Sequence, residues 1–484
     1  MIKKEKQPNI LWICTDQQRW NTLGCYGNEN AKTPNLDKLA ENGTIFDTAF
    51  CQSPVCTPSR VSFLTGRYPR TARGRQNGQN IPKEEVLVTR LLHDAGYYGG
   101  LSGKLHISSV DKSVVSTCET RINDGYDEFY WSHHHWNDWG TENNKYLKHL
   151  EEIGGSPAET PIEGSKHVKF GPKDEWHQTT WCCNTASDFM RRRADTNQPW
   201  FFSVNIFDPH HPFNPPEEYL KPYLDDLDEI PLPCDLENAE NKKSYLRHRE
   251  EGTFGHPAAP EAVGMSNKEH RLLRASYLAM CNHIDTNVGR MIKTLEETGQ
   301  LDNTIIIFSS DHGELLGDHG LYLKGGYFYD EAIRVPLIVS YPEVVKSQRS
   351  SALVELTDIA QTILDACGVP HHEGMQGKSF WDLLTTGENK DEHRDDVYCE
   401  FYNALADAKT TTTFLTMVRN KKYKLTVDHP RNTGELYDLI NDEHETTDLW
   451  DNAKFANIKT EMLLSLCNRM AFTADPMPRR LAAH

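Results

Sequence analysis

The sequence lacks the features of several large classes of protein. No apolar run approaches the roughly 20 residues that a membrane-spanning helix needs. Basic residues are in deficit, with 52 Lys and Arg against 70 Asp and Glu and a formal net charge of −18. Because proteins that bind nucleic acid or anionic membranes depend on clustered positive charge, the composition argues against both partners.

Disulfide and zinc frameworks are also not indicated. The twelve cysteines contain no C-x-x-C pair, and the adjacent Cys182 and Cys183 are too constrained for an ordinary bridge. Residues 1–6 are basic but run straight into a short predicted strand, with no apolar segment of the kind a signal peptide has, so the chain as given shows no signal peptide. The compartment stays open between a cytoplasmic protein and a trimmed, exported one.

Three apolar runs predict buried strands of a parallel sheet. They cover residues 9–14, 200–207 and 304–310, and each is followed directly by polar side chains. Helical patterns alternate with these strands, at 89–95 after the first, at 270–298 before the third and at 358–367 after the third. Strands interleaved with helices of this length predict an α/β fold with helices on both faces of the sheet.

The chain of 484 residues is long enough for one large α/β domain and a smaller one. Residues 385–394 are polar and loop-like, so we place a boundary there. It separates a catalytic domain over 1–385 from a C-terminal α+β subdomain over 386–484. Within the second unit, short runs at 414–418, 423–427 and 436–439 predict antiparallel strands, followed by a final helix.

Polar residues at two of the strand ends suit a metal ion. Asp16 and Gln17 follow the first strand, and Asp311 and His312 follow the third. Hard oxygen ligands of this kind bind Ca²⁺ or Mg²⁺. A single Asp would more often cap a strand end, but convergence of the whole set favours a metal site.

Residues 56–60 read Cys-Thr-Pro-Ser-Arg. This segment resembles the C-x-P-x-R maturation signature of type I sulfatases, which belong to the alkaline-phosphatase-like superfamily. The resemblance implies that a formylglycine-generating maturation enzyme oxidises Cys56 to formylglycine (3-oxoalanine), whose hydrate is the nucleophile. It also implies that Arg60 stays in the folded site. The alternatives are an ordinary thiolate nucleophile, which would be trapped as a thiosulfate, and a structural cysteine in a turn.

Other family elements follow in family order. Lys104 and His106 match a G-K-x-H element; two residues apart in an extended segment, they would point the same way. The resemblance implies that Lys104 neutralises sulfate oxygens and that His106 takes a proton. His210 matches P-H-x-P and is the candidate acid for the departing alcohol, with His211 as the competing assignment. Lys324 corresponds to the second sulfate-binding lysine.

The metal set departs from the family pattern at Gln17, where an acid is usual. The resemblance implies Ca²⁺ held by Asp16, Gln17, Cys56, Asp311 and His312, with Mn²⁺ or Mg²⁺ as rivals because the set is less negative and softer. The implied fold is an alkaline-phosphatase-like sandwich, with a large mostly parallel sheet between helices and a small C-terminal α+β domain carrying an antiparallel sheet.

Residues 131–139 form a dense stretch of Trp and His. Trp faces stack on sugar rings and His offers hydrogen bonds to anionic saccharides, although such a loop can equally use its Trp residues as a small core of its own. Together with a polar segment after the Cys56 motif, it suggests a sulfated saccharide as substrate. The candidate binding residues are Arg73, Arg75, Asn77, His134, His135 and Trp136.

The sequence is consistent with three functions. The first is sulfate-ester hydrolysis on a polysaccharide-derived oligosaccharide. The second is a phosphonate monoester hydrolase, a phosphodiesterase or a choline-sulfatase-like enzyme, some of which share the Asp-Gln and Asp-His pattern. The third is a glycan-binding pseudoenzyme with unmodified Cys56, which the complete set of Lys, His and metal positions argues against.

Overall fold

The structure, a computed structural model, describes residues 7–134, 140–243, 260–262, 264–405 and 413–482. Its strands are β1 Asn9–Thr15, β2 Thr44–Phe46, β3 Ala49–Phe50, β4 Tyr98–Gly103, β5 Glu128–Trp131, β6 Thr160–Pro161, β7 Lys169–Phe170, β8 Trp200–Ile206, β9 Thr304–Ser310, β10 Arg334–Val335, β11 Leu337–Ser340, β12 Gln348–Ser350, β13 Val354–Glu355, β14 Val397–Tyr402, β15 Phe414–Arg419, β16 Tyr423–Asp428 and β17 Thr433–Asp438. Its helices are α1 Pro34–Glu41, α2 Cys56–Thr65, α3 Pro69–Ala72, α4 Val88–Asp94, α5 Lys145–Ile153, α6 Gln178–Arg193, α7 Glu217–Leu224, α8 Asn267–Glu297, α9 Asp330–Ile333, α10 Asp358–Cys367, α11 Trp381–Thr386 and α12 Ala456–Phe472.

The main sheet has eight strands in the order β12-β2-β11-β9-β1-β8-β4-β5. The run from β9 to β5 is parallel, and β11 pairs antiparallel with both β9 and β2. The mostly parallel sheet predicted from the apolar runs is therefore confirmed. In the central strand, Thr15 pairs with Ile206 and with Ser310, so the three predicted strands end at the same level.

Both faces of the sheet are buried. Along β1, Ile10, Trp12 and Cys14 belong to one apolar core and Leu11 and Ile13 to the other. The first core is completed by α2, α4 and α10, and the second by α1, α6 and α8. Burial on both faces explains why these strands are continuous apolar runs rather than alternating ones.

A separate antiparallel sheet, in the order β14-β15-β16-β17, lies near the C-terminus. Val397 and Cys399 face the large core, whereas Tyr398 belongs to a cluster with Met462 and Leu466 of α12. The small α+β unit is thus present, with one strand, β14, that the sequence reasoning missed. The boundary that we placed at residue 385 falls in the last turn of α11 and stays a prediction.

Among the described residues, no helix is long and apolar enough to cross a membrane. All twelve cysteines are free thiols.

Candidate active site

The candidate site lies where the parallel strands end. Asp16 and Gln17 follow β1, Lys104 follows β4, and Asp311 follows β9. Cys56 is the first residue of α2, whose N-terminus points into the same region. The open peptide N–H groups of a helix N-terminus favour negative charge there.

The Cys56 side chain is 1% exposed and is surrounded by charge. Its Sγ lies 3.0 Å from Lys324 Nζ, 3.2 Å from His312 Nε2 and 3.6 Å from Asp16 Oδ1. Burial and Asp16 raise the pKa of this thiol, but Lys104, Lys324 and His312 together lower it further, so its pKa falls below the ordinary value. The position therefore stabilises a negative charge.

Arg60 connects helix α2 to the ends of β4 and β9. It lies one turn after Cys56 and is buried. Its Nε donates to Asp311 Oδ2 at 2.8 Å, and its Nη1 donates to the Lys104 carbonyl at 2.8 Å. Ser59 Oγ adds a bond of 2.5 Å to the Asp311 carbonyl. Both residues belong to the Cys-Thr-Pro-Ser-Arg motif, so the motif itself anchors the helix.

Four of the five predicted metal residues converge. Asp16, Cys56, Asp311 and His312 are buried, and each offers one ligand atom within 4.8 Å of the others. Gln17 Nε2 donates to Glu314, which leaves Gln17 Oε1 buried with no hydrogen-bond partner. An orphaned amide oxygen on the residue next to Asp16, together with two carboxylates and an imidazole, fits a divalent cation. The sequence reasoning missed Glu314, because nothing in its local sequence indicates that it orients Gln17.

Asp16 connects the metal residues to the cationic ones. Lys104 Nζ donates to its Oδ2, and Lys324 Nζ lies 3.9 Å from its Oδ1. Burial raises the pKa of Asp16, but Lys104, His210 and Lys324 lower it more, so its pKa lies well below the usual range. Asp16 is therefore ionised at neutral pH.

His106 is held by a second missed carboxylate. β4 ends at Gly103, and His106 has a left-handed backbone with φ of 55°. Our expectation that Lys104 and His106 share an extended segment is wrong, because Glu119 accepts the N–H groups of His106 at 2.7 Å and Ile107 at 3.1 Å and turns the chain. His106 Nδ1 is buried without a partner. Burial and the charge of Lys104 hold the pKa of His106 well below its usual value.

His210 is placed by the segment after β8. Its Nδ1 donates to the His211 carbonyl at 2.7 Å, which leaves Nε2 as its other proton-handling atom. The two imidazoles stack at 4.2 Å. Burial, followed by Lys324 and His211, lowers the pKa of His210 well below its usual value.

The candidate substrate-binding residues do not share one environment. Arg73 lies 3.4 Å from Glu85 Oε1, and Arg75 lies over the Tyr402 ring at 4.1 Å. Asn77 Oδ1 accepts the Thr57 N–H at 3.0 Å and thereby caps α2. His134 is buried against Phe207. The remaining two candidates, His135 and Trp136, lie outside the described residues.

Two protein-family models match this chain. Residues 8–369 match the family described as Sulfatase, and residues 317–471 match the one described as N-sulphoglucosamine sulphohydrolase, C-terminal. The chain belongs to the sulfatase family. It is therefore a sulfuric ester hydrolase with the alkaline-phosphatase-like fold.

Individual relatives cover nearly the whole chain. An arylsulfatase of Clostridium perfringens is 30% identical over 93% of this chain and 91% of its own length. An N-acetylglucosamine-6-O-sulfatase of Bacteroides thetaiotaomicron is 24% identical over 95% of this chain and 86% of its own length. The solved structure of a phosphonate monoester hydrolase from Silicibacter pomeroyi is similar with a TM-score of 0.82, at 22% identity, covering 97% of this chain and 96% of that one. At that identity the last likeness shows the fold alone.

Proposed function

We propose that this chain hydrolyses sulfate esters on a sulfated saccharide, with formylglycine formed from Cys56 and a divalent metal, Ca²⁺ before Mn²⁺ or Mg²⁺. The observation that carries the proposal is the position of Cys56 Sγ, at a helix N-terminus, 3.0 Å from Lys324 and 3.2 Å from His312. Oxidised to the hydrated aldehyde, this side chain would supply an oxygen nucleophile where the sulfur now lies.

The cation would be held by Asp16, Gln17, Asp311 and His312 together with the side chain of residue 56. When bound, it supplies positive charge that polarises sulfate oxygens and stabilises the anionic nucleophile.

The chain's own residues do the remaining work. Lys104 and Lys324 are 1% and 4% exposed, so they present desolvated ammonium groups to sulfate oxygens. His106 is neutral at pH 7 because its pKa is lowered, and its unpartnered Nδ1 is free to accept a proton. His210 holds Nδ1–H on the His211 carbonyl, which directs Nε2 to the leaving group. A bound anion would raise the pKa of His210, so that Nε2 carries the proton that the departing alcohol needs.

The saccharide part of the proposal has two supports. One relative is named for an N-acetylglucosamine 6-O-sulfate activity. In this chain, His133 and His134 are buried beside the candidate base, with the His106 and His133 rings 4.5 Å apart. Imidazoles at this place offer hydrogen bonds to sugar hydroxyls without adding fixed charge.

The second candidate is phosphonate monoester or phosphodiester hydrolysis. Gln17 and His312 favour it, since that group often carries an amide and an imidazole at these positions. The same cations and histidines would serve a phosphorus centre.

The test compares kcat/KM for sulfated mono- and disaccharides with that for phenylphosphonate monoesters, using protein co-expressed with a maturation enzyme. We expect sulfate release from at least one sulfated sugar at a kcat/KM about 100-fold or more above phosphonate turnover. A kcat/KM for phosphonate monoesters that exceeds the value for every sulfated sugar would favour the second candidate function. A Cys56→Ala variant is the matched control for contaminating hydrolases.

A further inference from the structure

A second group of metal-binding side chains lies outside the candidate active site. His177, Asp208 and His283 each offer one ligand atom, and these atoms lie within 4.8 Å of one another. They come from three separate elements, because His177 is the N-cap of α6, Asp208 follows β8, and His283 lies in α8. The side chains are 4%, 3% and 0% exposed.

We propose that His177, Asp208 and His283 form a second metal site, which binds a transition ion such as Zn²⁺ rather than Ca²⁺. Two imidazoles and one carboxylate make the set that Zn²⁺ and similar ions prefer, whereas Ca²⁺ takes six to eight oxygens. His177 Nδ1 and Asp208 Oδ2 lie 3.6 Å apart. Two ligands of a tetrahedral Zn²⁺ with bonds of about 2.0–2.1 Å would lie roughly 3.4 Å apart, so this pair needs little movement.

His283 has the hydrogen bonds of a metal ligand. Its Nε2 lies 2.9 Å from Asp174 Oδ1 and 3.0 Å from Thr180 Oγ1. Its Nδ1 is buried without a hydrogen-bond partner. Metal-binding histidines characteristically donate their second nitrogen to a carboxylate, which fixes the tautomer and leaves the other nitrogen for the ion. Asp174 is itself held by Arg290 Nη2 at 2.6 Å.

Asp208 and His177 are also supported. Thr179 Oγ1 donates to Asp208 Oδ2 at 2.8 Å, and the Thr179 N–H lies 3.3 Å from His177 Nδ1. The second bond is long, and an ion would replace it. If no ion binds, the hydrogen bonds of Thr179 to His177 and Asp208 simply cap the N-terminus of α6. The experiment below distinguishes this alternative from a metal site.

The site would be coupled to the catalytic segment through the chain. Asp208 lies two residues before His210, and the Asp16 N–H donates to the Asp208 carbonyl at 3.2 Å. A bound ion would tie α6 and α8 to the end of β8. Since it would bind the folded chain only, it would raise the thermal midpoint.

The experiment measures zinc retained per full-length chain, by plasma mass spectrometry after gel filtration in excess Ca²⁺. The variants are His283→Gln and His177→Gln, with His270→Gln as the control because it is a buried histidine of the same helix bonded to Tyr322. Circular dichroism checks that each variant is folded. We expect the two site variants to retain one zinc fewer than wild type, and His270→Gln to retain as much as wild type. Because the result is the zinc content of wild type minus that of each variant, zinc bound at the candidate active site cancels out.

A further variant separates a metal ligand from a structural histidine. Asp174→Asn should weaken zinc binding about 10–100-fold, as loss of such a supporting carboxylate typically does. Zinc should also raise the thermal midpoint of wild type and His270→Gln but not of His283→Gln. Equal zinc retention in wild type, His177→Gln and His283→Gln would overturn the proposal and leave the cluster as a hydrogen-bonded cap.

Discussion

At the scale of single residues, the candidate site concentrates positive charge in a chain that is negatively charged overall. A chain with a formal net charge of −18 cannot attract an anionic ester by its overall field. Its cations are instead buried at one point: Lys104 and Arg60 contact Asp16, and Lys324 contacts Cys56. Buried charges of this kind are retained because each has a partner of opposite sign.

Glu119 is expected to act as a positioning residue. Glu119→Gln removes the charge that accepts the N–H groups of His106 and Ile107, together with Trp131 Nε1–H at 3.1 Å. The left-handed turn at His106 then loosens, and kcat should fall by up to about 100-fold while KM changes little, since a displacement of about 1 Å can have such a cost. Steady-state kinetics on the folded variant checks this, with the exposed Glu151→Gln of α5 as control. A rise in KM at constant kcat would instead assign Glu119 to substrate binding.

The buried histidines predict how stability depends on pH. The pKa values of His106, His133 and His210 all lie well below the ordinary value, with burial as the first cause. At these three sites the unfolded chain binds more protons than the folded one below pH 6.5, so they lower stability as pH drops towards 5. His312, whose pKa is raised, acts in the opposite direction, as do Asp285 and Glu445, whose pKa values burial raises to about 6 and about 8.

Thermal midpoints of wild type and His133→Gln between pH 5 and 7.5 isolate the contribution of one histidine, because the opposing groups are the same in both proteins. We expect the midpoint of wild type to gain on that of His133→Gln as pH rises to about 6.5, the usual His value, and the difference between them then to level. A difference that stays constant, or that moves against wild type as pH rises, would contradict the lowered pKa of His133.

At the scale of elements, helix α2 begins at Cys56, and its N-terminus is capped by a residue from elsewhere in the chain. Val55, the N-cap residue, makes no side-chain cap bond. Asn77 supplies the missing acceptor to the Thr57 N–H, and its own N–H donates to the Ala404 carbonyl at 2.9 Å. The segment around Asn77 thus lies between α2 and the chain that follows β14.

Two substitutions at Asn77 separate capping from charge. Asn77→Ala should lower the free energy of unfolding by about 1 kcal/mol, as loss of an N-cap typically does. Asn77→Asp keeps the acceptor and should restore stability, but its negative charge near Cys56 should raise KM for an anionic ester. Denaturation and kinetics on the two variants measure both effects. If Asn77→Asp leaves KM unchanged, its side chain is too far from the substrate to matter.

The sequence predicts those strands and helices that are marked by a pattern within the segment itself. The strands at β1, β8 and β9 are unbroken apolar runs, and α10 ends at the residue before Gly368, which has a left-handed backbone with φ of 65°. The six predicted catalytic positions lie around Asp16 and could be located in the sequence because each matches a family element; their catalytic roles stay predictions. Glu119 and Glu314 have no such motif: each acts on backbone or amide groups that only the fold brings near. β14 was missed because it follows a long polar stretch.

At the scale of the whole molecule, a buried ionic group connects the small antiparallel sheet to the rest. Lys424 of β16 is 1% exposed, and its Nζ donates to Asp330 Oδ1 at 2.5 Å and to Glu445 Oε2 at 2.8 Å. Asp330 also lies 3.3 Å from Arg419 Nη2. Asp330 begins α9, so the two sheets are held together by charge as well as by apolar packing.

Removing one member should be costly. Lys424→Met leaves Glu445 and Asp330 buried with less compensation, and we expect a loss of about 3–5 kcal/mol in the free energy of unfolding. The exposed neighbour Lys422→Met is the control and should change stability by less than about 0.5 kcal/mol. Urea denaturation of both variants is the measurement. Equal effects would show that the ionic group contributes little to stability.

The most direct test of sulfate-ester hydrolysis through Cys56 measures sulfate release and the state of residue 56 together. Protein is made with and without the maturation enzyme, its Cys56 peptide is weighed by mass spectrometry, and released sulfate is quantified by ion chromatography on sulfated oligosaccharides. We predict that the rate of release rises in proportion to the fraction of formylglycine and is zero for Cys56→Ala. Sulfate release by protein with only the thiol at residue 56, or none by fully converted protein that hydrolyses phosphonate esters, would contradict it.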